Sequence, residues 1–121
     1  SDSYLENYFL KSSFIDTLKI YLQLTDDAFS KIYKMISVDF SNDKPIVSFK
    51  SFDWDKEKSR KDAIKSNRKL LIKVRQDSFN WVVKNKYPWE DLSIGFQCRI
   101  ERNPDVYNVK FWNHFTNVYI N

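Results

Sequence analysis

A chain of 121 residues, 14.6 kDa and formal charge +4 is long enough for one domain with a sizeable core. Its 42% apolar and 17% aromatic content excludes a disordered chain, and no stretch reaches the ~20 apolar residues of a membrane helix. One glycine, one histidine and one cysteine (Gly95, His114, Cys98) exclude glycine-rich phosphate loops, an intrachain disulfide and a His/Cys zinc site.

Residues 4–14 place Leu5, Phe9 and Leu10 at helical spacing. In TLKIYLQLTDD, Leu18, Ile20, Leu22 and Leu24 alternate with polar or amphipathic residues, the signature of a half-buried strand. KIYKMISVDF repeats the pattern through Ile32, Ile36, Val38 and Phe40, interrupted by Lys34. SNDKP supplies turn chemistry before a third, less regular run, IVSFKSFDW.

Residues 56–75 hold nine Lys or Arg against Glu57 and Asp62, a charge of +7 that leaves −3 for the rest. A solvated face explains such a run better than a nucleic-acid patch, because KSRKDAIKSNRK lacks interleaved aromatics and a recognition-helix pattern. KLLIKVRQ then predicts a fourth strand with Leu70, Ile72 and Val74 inward.

Asp77 is placed to cap a helix whose apolar stripe is Phe79, Val82 and Val83. Pro88 can open a short helix, with Glu90 and Asp91 in its first turn. In SIGFQCRIER, Ile94, Phe96, Cys98 and Ile100 alternate with Gly95, Gln97, Arg99 and Glu101. Gly95 falls where a helical turn hands over to this strand, a place that favours a residue without Cβ. Pro104 closes the strand, and Asp105 is placed to cap a last helix carrying Tyr107, Phe111, Phe115 and Val118.

This order predicts an α+β fold: a mostly antiparallel five-stranded sheet with helices packed on one face, in one domain spanning 1–121. The start at Ser1, without methionine, leads us to expect a piece of a larger protein. Its expected location is the cytoplasm.

The succession KLLIKVRQDSFNWVVKNKYPWEDLSIGFQCRIERNPD resembles the second half of the sterol carrier protein type 2 fold. There a strand leads into a capped helix, a proline-containing short helix, a glycine and a last strand. Asp77, Phe79, Pro88 and Gly95 carry the likeness, and the preceding helix and three strands resemble that fold's first half. YPWEDLSIGFQCRIERNPDVYNVKFWNHF is similar to the C-terminal region of metallo-β-lactamase-fold proteins related to sialic-acid hydroxylases. This second resemblance implies that the chain is the C-terminal part of its parent, an accessory domain of a hydrolase whose metal site lies in another domain.

The resulting expectation is a noncatalytic accessory or interaction domain, with no cofactor and no metal of its own. Its partner would be a hydrolase domain of the same parent chain or a second copy in a homodimer, and Trp54, Trp81 or Trp89 could anchor that contact if exposed. An alternative is an apolar, lipid-like small molecule between helices and sheet, walled by Phe79, Val82, Trp89, Leu92, Phe96, Phe111 and Phe115. Against it stands the ordinary tendency of aromatic interiors to fill completely. The bulky last helix, with Phe111, Trp112, Phe115 and Tyr119, could plug a tunnel rather than line one. Weak nucleic-acid or anionic-surface binding through 56–75 is the remaining alternative. His114 reads as packed among aromatics rather than catalytic, and the adjacent Glu90 and Asp91 diverge on a helix rather than converge on a substrate.

Overall fold

The computed structural model describes residues 2–60, 68–93 and 98–117. Helix α1 (Asp2–Lys11) turns Leu5, Tyr8 and Phe9 inward. It ends where the Ser12 hydroxyl donates to the Phe9 carbonyl at 2.6 Å and Ser13 takes a left-handed φ of 54°. Strand β1 (Leu18–Thr25) follows, with Leu18, Ile20, Leu22 and Leu24 buried as the alternation predicts.

The turn into β2 (Ile32–Asp39) is organised by one carboxylate. Asp26 accepts from the Ser30 amide at 2.8 Å, the Ser30 hydroxyl at 2.8 Å and the Lys31 amide at 3.1 Å. A register shift at Leu24/Thr25 accommodates the first residues of β2. Lys34, which breaks the alternation in the sequence, pairs with Asp2 of α1 and lies over the Phe49 ring. The edge strand β3 (Ile46–Ser48) has only three residues.

Asp53 caps α2 (Trp54–Glu57) by accepting from the Asp55 amide at 3.0 Å. Strand β4 (Arg68–Arg75) runs directly into α3 (Gln76–Asn85). Asp77, expected as the cap of α3, instead lies in its first turn, and Arg75 occupies the cap position without a side-chain bond. Asp77 there complements the helix dipole rather than an orphan amide. The helix closes on Lys86 at φ 56°, with Lys86 and Tyr87 amides returning to Val83 and Val82 carbonyls.

Pro88 precedes α4 (Glu90–Ser93), its carbonyl accepting from the Asp91 amide at 3.1 Å. Strand β5 (Cys98–Asn103) ends at a cis bond to Pro104. Asp105 does not cap α5 (Val109–Asn117); it pairs with Arg102 at 2.9 Å. The helix starts later than the spacing predicts, and Tyr107 is left exposed before it. Gly95 and Phe96 of the predicted sites, and Val118 of the predicted stripe, lie outside the described residues.

The strand order is β3-β2-β1-β4-β5. Strands β1–β3 form the expected antiparallel meander, β4 and β5 pair antiparallel, and β1 and β4 run parallel. The fold is α+β with a mixed, mostly antiparallel sheet. Residues from α1, α3, α4 and α5 share one core with the even-numbered residues of β1, β2 and β4. The opposite face is covered in part by α2: Trp54 packs with Tyr21, Leu71 and Phe52 in a smaller cluster.

Candidate functional site

The odd-numbered residues of the central strands face away from the main core. A groove of about 560 Å³ is bounded by Phe52, Trp54 and Leu71 on its apolar side and by Gln23, Lys73 and Arg99 on its polar side. Register explains the polar side. Gln23 of β1 is the partner of Lys73 of β4, and Lys73 is the partner of Arg99 of β5, so three donor side chains form one row spaced by ~4.8 Å between strands.

The walls of the groove are fixed from beneath and from the ends. Tyr21 lies edge-on to both Phe52 and Trp54, at centroid distances of 5.0 and 5.4 Å. Lys69 is buried and donates to the Glu57 and Arg60 carbonyls at 2.5 and 2.6 Å, so its ammonium ties down the C-terminal end of α2. The Arg99 guanidinium lies 4.6 Å from the Phe29 ring centroid, and Arg75 lies 4.8 Å from the same ring. The Trp54 indole N–H is buried without an acceptor.

Acidic groups of the groove are already engaged. Asp55 and Glu101 pair with Lys58 at 3.2 and 3.5 Å. These contacts raise the Lys58 ammonium above its ordinary value, the hydrogen bond it donates to Asp55 contributing most. Asp53 is turned to its own helix amide.

The basic segment is mostly satisfied within the fold. Arg60 pairs with Glu57 at 3.2 Å, Arg68 with Asp16 and Asn108, and Arg75 donates to the Asp27 carbonyl at 2.9 Å. A continuous cationic stripe is therefore not what these described residues present. Lys61 and Lys65 lie outside the described residues.

Six of the seven residues expected to wall an apolar site are described, and all are buried: Phe79, Val82, Trp89, Leu92, Phe111 and Phe115. They belong to one core cluster. Trp89 sits 5.6 Å from Phe79, 5.6 Å from Phe111 and 5.1 Å from Phe115 between ring centroids. A second groove, of about 420 Å³ between α1, α3 and the sheet, is lined by Leu5, Leu24, Val83 and polar side chains including Lys34 and Asn80; none of the six lines either groove.

His114 is half-buried as expected, meeting the Ser12 carbonyl and lying 4.9 Å from the Phe14 ring. Among the tryptophans, Trp54 and Trp89 are core residues, whereas Trp81 is 61% exposed beside the exposed Tyr87, 5.9 Å between centroids. Among the described residues no group of three His, Cys, Asp or Glu could hold a metal ion, and no helix is long and apolar enough to cross a membrane. Sequence reading missed Gln23, Lys73, Phe52 and the site role of Arg99. Their only signal is a basic residue on each of two strands, and pairing register is needed to place these opposite each other.

No protein-family model matches the chain. Among curated proteins it is similar to cytidine monophosphate-N-acetylneuraminic acid hydroxylase of Sus scrofa, 34% identical over 114 residues, which cover 93% of this chain and 24% of that protein. The hydroxylases of Xenopus laevis and Mus musculus are each 54% identical over 44 residues, 36% of this chain and 7% and 8% of theirs. The chain thus spans about a quarter or less of the length of these relatives. Among solved structures it is similar to apo sterol carrier protein 2 of Yarrowia lipolytica, with TM-score 0.47 and 17% identity over 98% of this chain and 78% of that one. The likeness to sialic-acid hydroxylases expected from the sequence is found in these relatives.

Proposed function

We propose that the chain is a noncatalytic accessory domain of a larger protein of the hydroxylase kind, the expected metallo-β-lactamase-fold parent, and serves as an interaction module within it. The observation that carries this reading is the extent of the match: nearly the whole chain, 93%, aligns with only 24% of the pig hydroxylase. The exposed Trp81–Tyr87 pair offers aromatic surface of the kind that anchors domain contacts.

The test uses the pig relative. Removing the segment matched by this chain should lower hydroxylation, and adding the separately expressed segment should restore it while showing no hydroxylation alone. The reading fails if the shortened protein keeps full activity and does not bind the segment. Hydroxylation by the isolated segment would also overturn it.

A further inference from the structure

We propose that the groove on the open sheet face is a binding site for a small anionic ligand, a carboxylate or a phosphate. Its anionic group would be held by Lys73 and Arg99 with Gln23 beside them, and its body by Phe52, Trp54 and Leu71. The groove lies on the opposite side of the sheet from the apolar core and is independent of the accessory-domain reading.

The first observation is electrostatic. Lys73 and Arg99 are direct cross-strand partners, and like charges placed directly opposite destabilise a sheet. The carboxylates lining the same groove do not relieve the pair, because Asp55 and Glu101 are taken by Lys58 and Asp53 caps α2. By contrast, Lys58, Arg60, Arg68, Lys69 and Arg75 all find protein acceptors. Lys73 and Arg99 thus form a local cationic pair at one end of a groove whose other charges, Lys58 against Asp53, Asp55 and Glu101, lie at the α2 side.

The second observation is preorganisation. Stacking on Phe29 holds the Arg99 guanidinium by its face, and this arrangement leaves the N–H edges for an acceptor. Gln23 extends the row by one neutral donor. The third is the apolar wall itself, where Trp54 packs with Tyr21, Leu71 and Phe52 and offers ring surface to the body of a ligand.

Inorganic phosphate and benzoate, titrated separately against the whole chain by amide and indole NMR, test the site. Saturable shifts at Gln23, Lys73, Arg99 and the Trp54 indole are expected with at least one probe, weakening as salt rises. A response to benzoate alone assigns a carboxylate with an apolar body; a response to phosphate alone assigns a phosphate. Lys73→Met and Arg99→Gln should each weaken binding by about tenfold or more, whereas Lys56→Met, at an exposed position outside the groove, should leave it unchanged. Removing one of two facing cations should also leave the Lys73→Met variant at least as stable as the parent. No saturable response to either probe overturns the proposal. So do shifts that survive Lys73→Met and Arg99→Gln combined in one chain, equal weakening by Lys56→Met, or a destabilised Lys73→Met variant.

Discussion

The indole N–H of Trp89 donates to the Tyr8 hydroxyl at 2.6 Å, joining the first helix to the segment before α4 across 81 residues. The two rings stack at 6.4 Å with an interplanar angle of 18°, inside the cluster that also holds Phe9, Phe79 and Phe115. Tyr8→Phe keeps the packing and leaves a buried donor unpaired, at a cost of about 1–3 kcal/mol. Trp89→Ala, which opens a cavity, should cost about 3–5 kcal/mol. Urea denaturation of both variants checks the order; a Tyr8→Phe variant as stable as the parent would show that the bond contributes nothing.

Lys86 closes α3 in a left-handed conformation at φ 56°, a place glycine usually takes. A side chain there carries a steric penalty of about 1–2 kcal/mol that glycine avoids. Because Lys86 is exposed, its replacement sacrifices no core contact, and Lys86→Gly should stabilise the domain by about 1 kcal/mol. Lys84→Gly, two residues earlier inside the helix, should instead destabilise by about 1 kcal/mol. Opposite shifts in thermal midpoint are expected; a stability loss in both variants would contradict the helix ending.

The same position shows how far the sequence could be read. Local periodicity was sufficient for the meander and for β4, because Leu18–Leu24 and Leu70–Val74 alternate over a core that lies on one side. It could not supply the parallel pairing of β1 with β4, which joins residues about fifty positions apart. The groove depends on that pairing and on the one between β4 and β5, so Gln23, Lys73 and Arg99 carry no joint signal in the linear chain.

Capping misled for a physical reason. Asp77 and Asp105 both have the chemistry of an N-cap, yet Asp77 sits inside a helix that continues directly from β4, and Asp105 is taken by Arg102. A scarcity of glycine did not prevent left-handed turns, since Ser13, Phe29 and Lys86 adopt positive φ.

Asp26 holds the β1–β2 turn as an ionised acceptor. The amide of Lys31 and then the hydroxyl of Ser30 favour its charged form and lower its carboxyl below the ordinary value of 3.8. A depressed folded value adds stability above the unfolded value and loses it as pH falls through the folded one. Asp26→Asn should therefore be less stable than the parent at neutral pH, with the difference shrinking in acid. Carbon-detected NMR titration offers the direct measurement, and an Asp26 midpoint at or above 3.8 would sink the assignment.

Cys98 titrates in the opposite sense. It is half-buried on β5 opposite Val74, and burial pushes its thiol from 9.0 up to about 11. Between those values the folded chain keeps a proton that the unfolded chain releases, so stability must fall as pH rises through that window. Tyrosines and lysines also titrate there, which makes the comparison with Cys98→Ala the informative one. The parent should lose stability relative to Cys98→Ala as pH rises from about 9 to about 11, whatever constant offset the lost packing introduces. Alkylation of the native thiol at pH 8 should likewise be slow beside that of the unfolded chain, because the thiolate is the reactive form. Urea midpoints of both proteins across this range decide the matter, and a difference independent of pH would mean that the thiol is not desolvated.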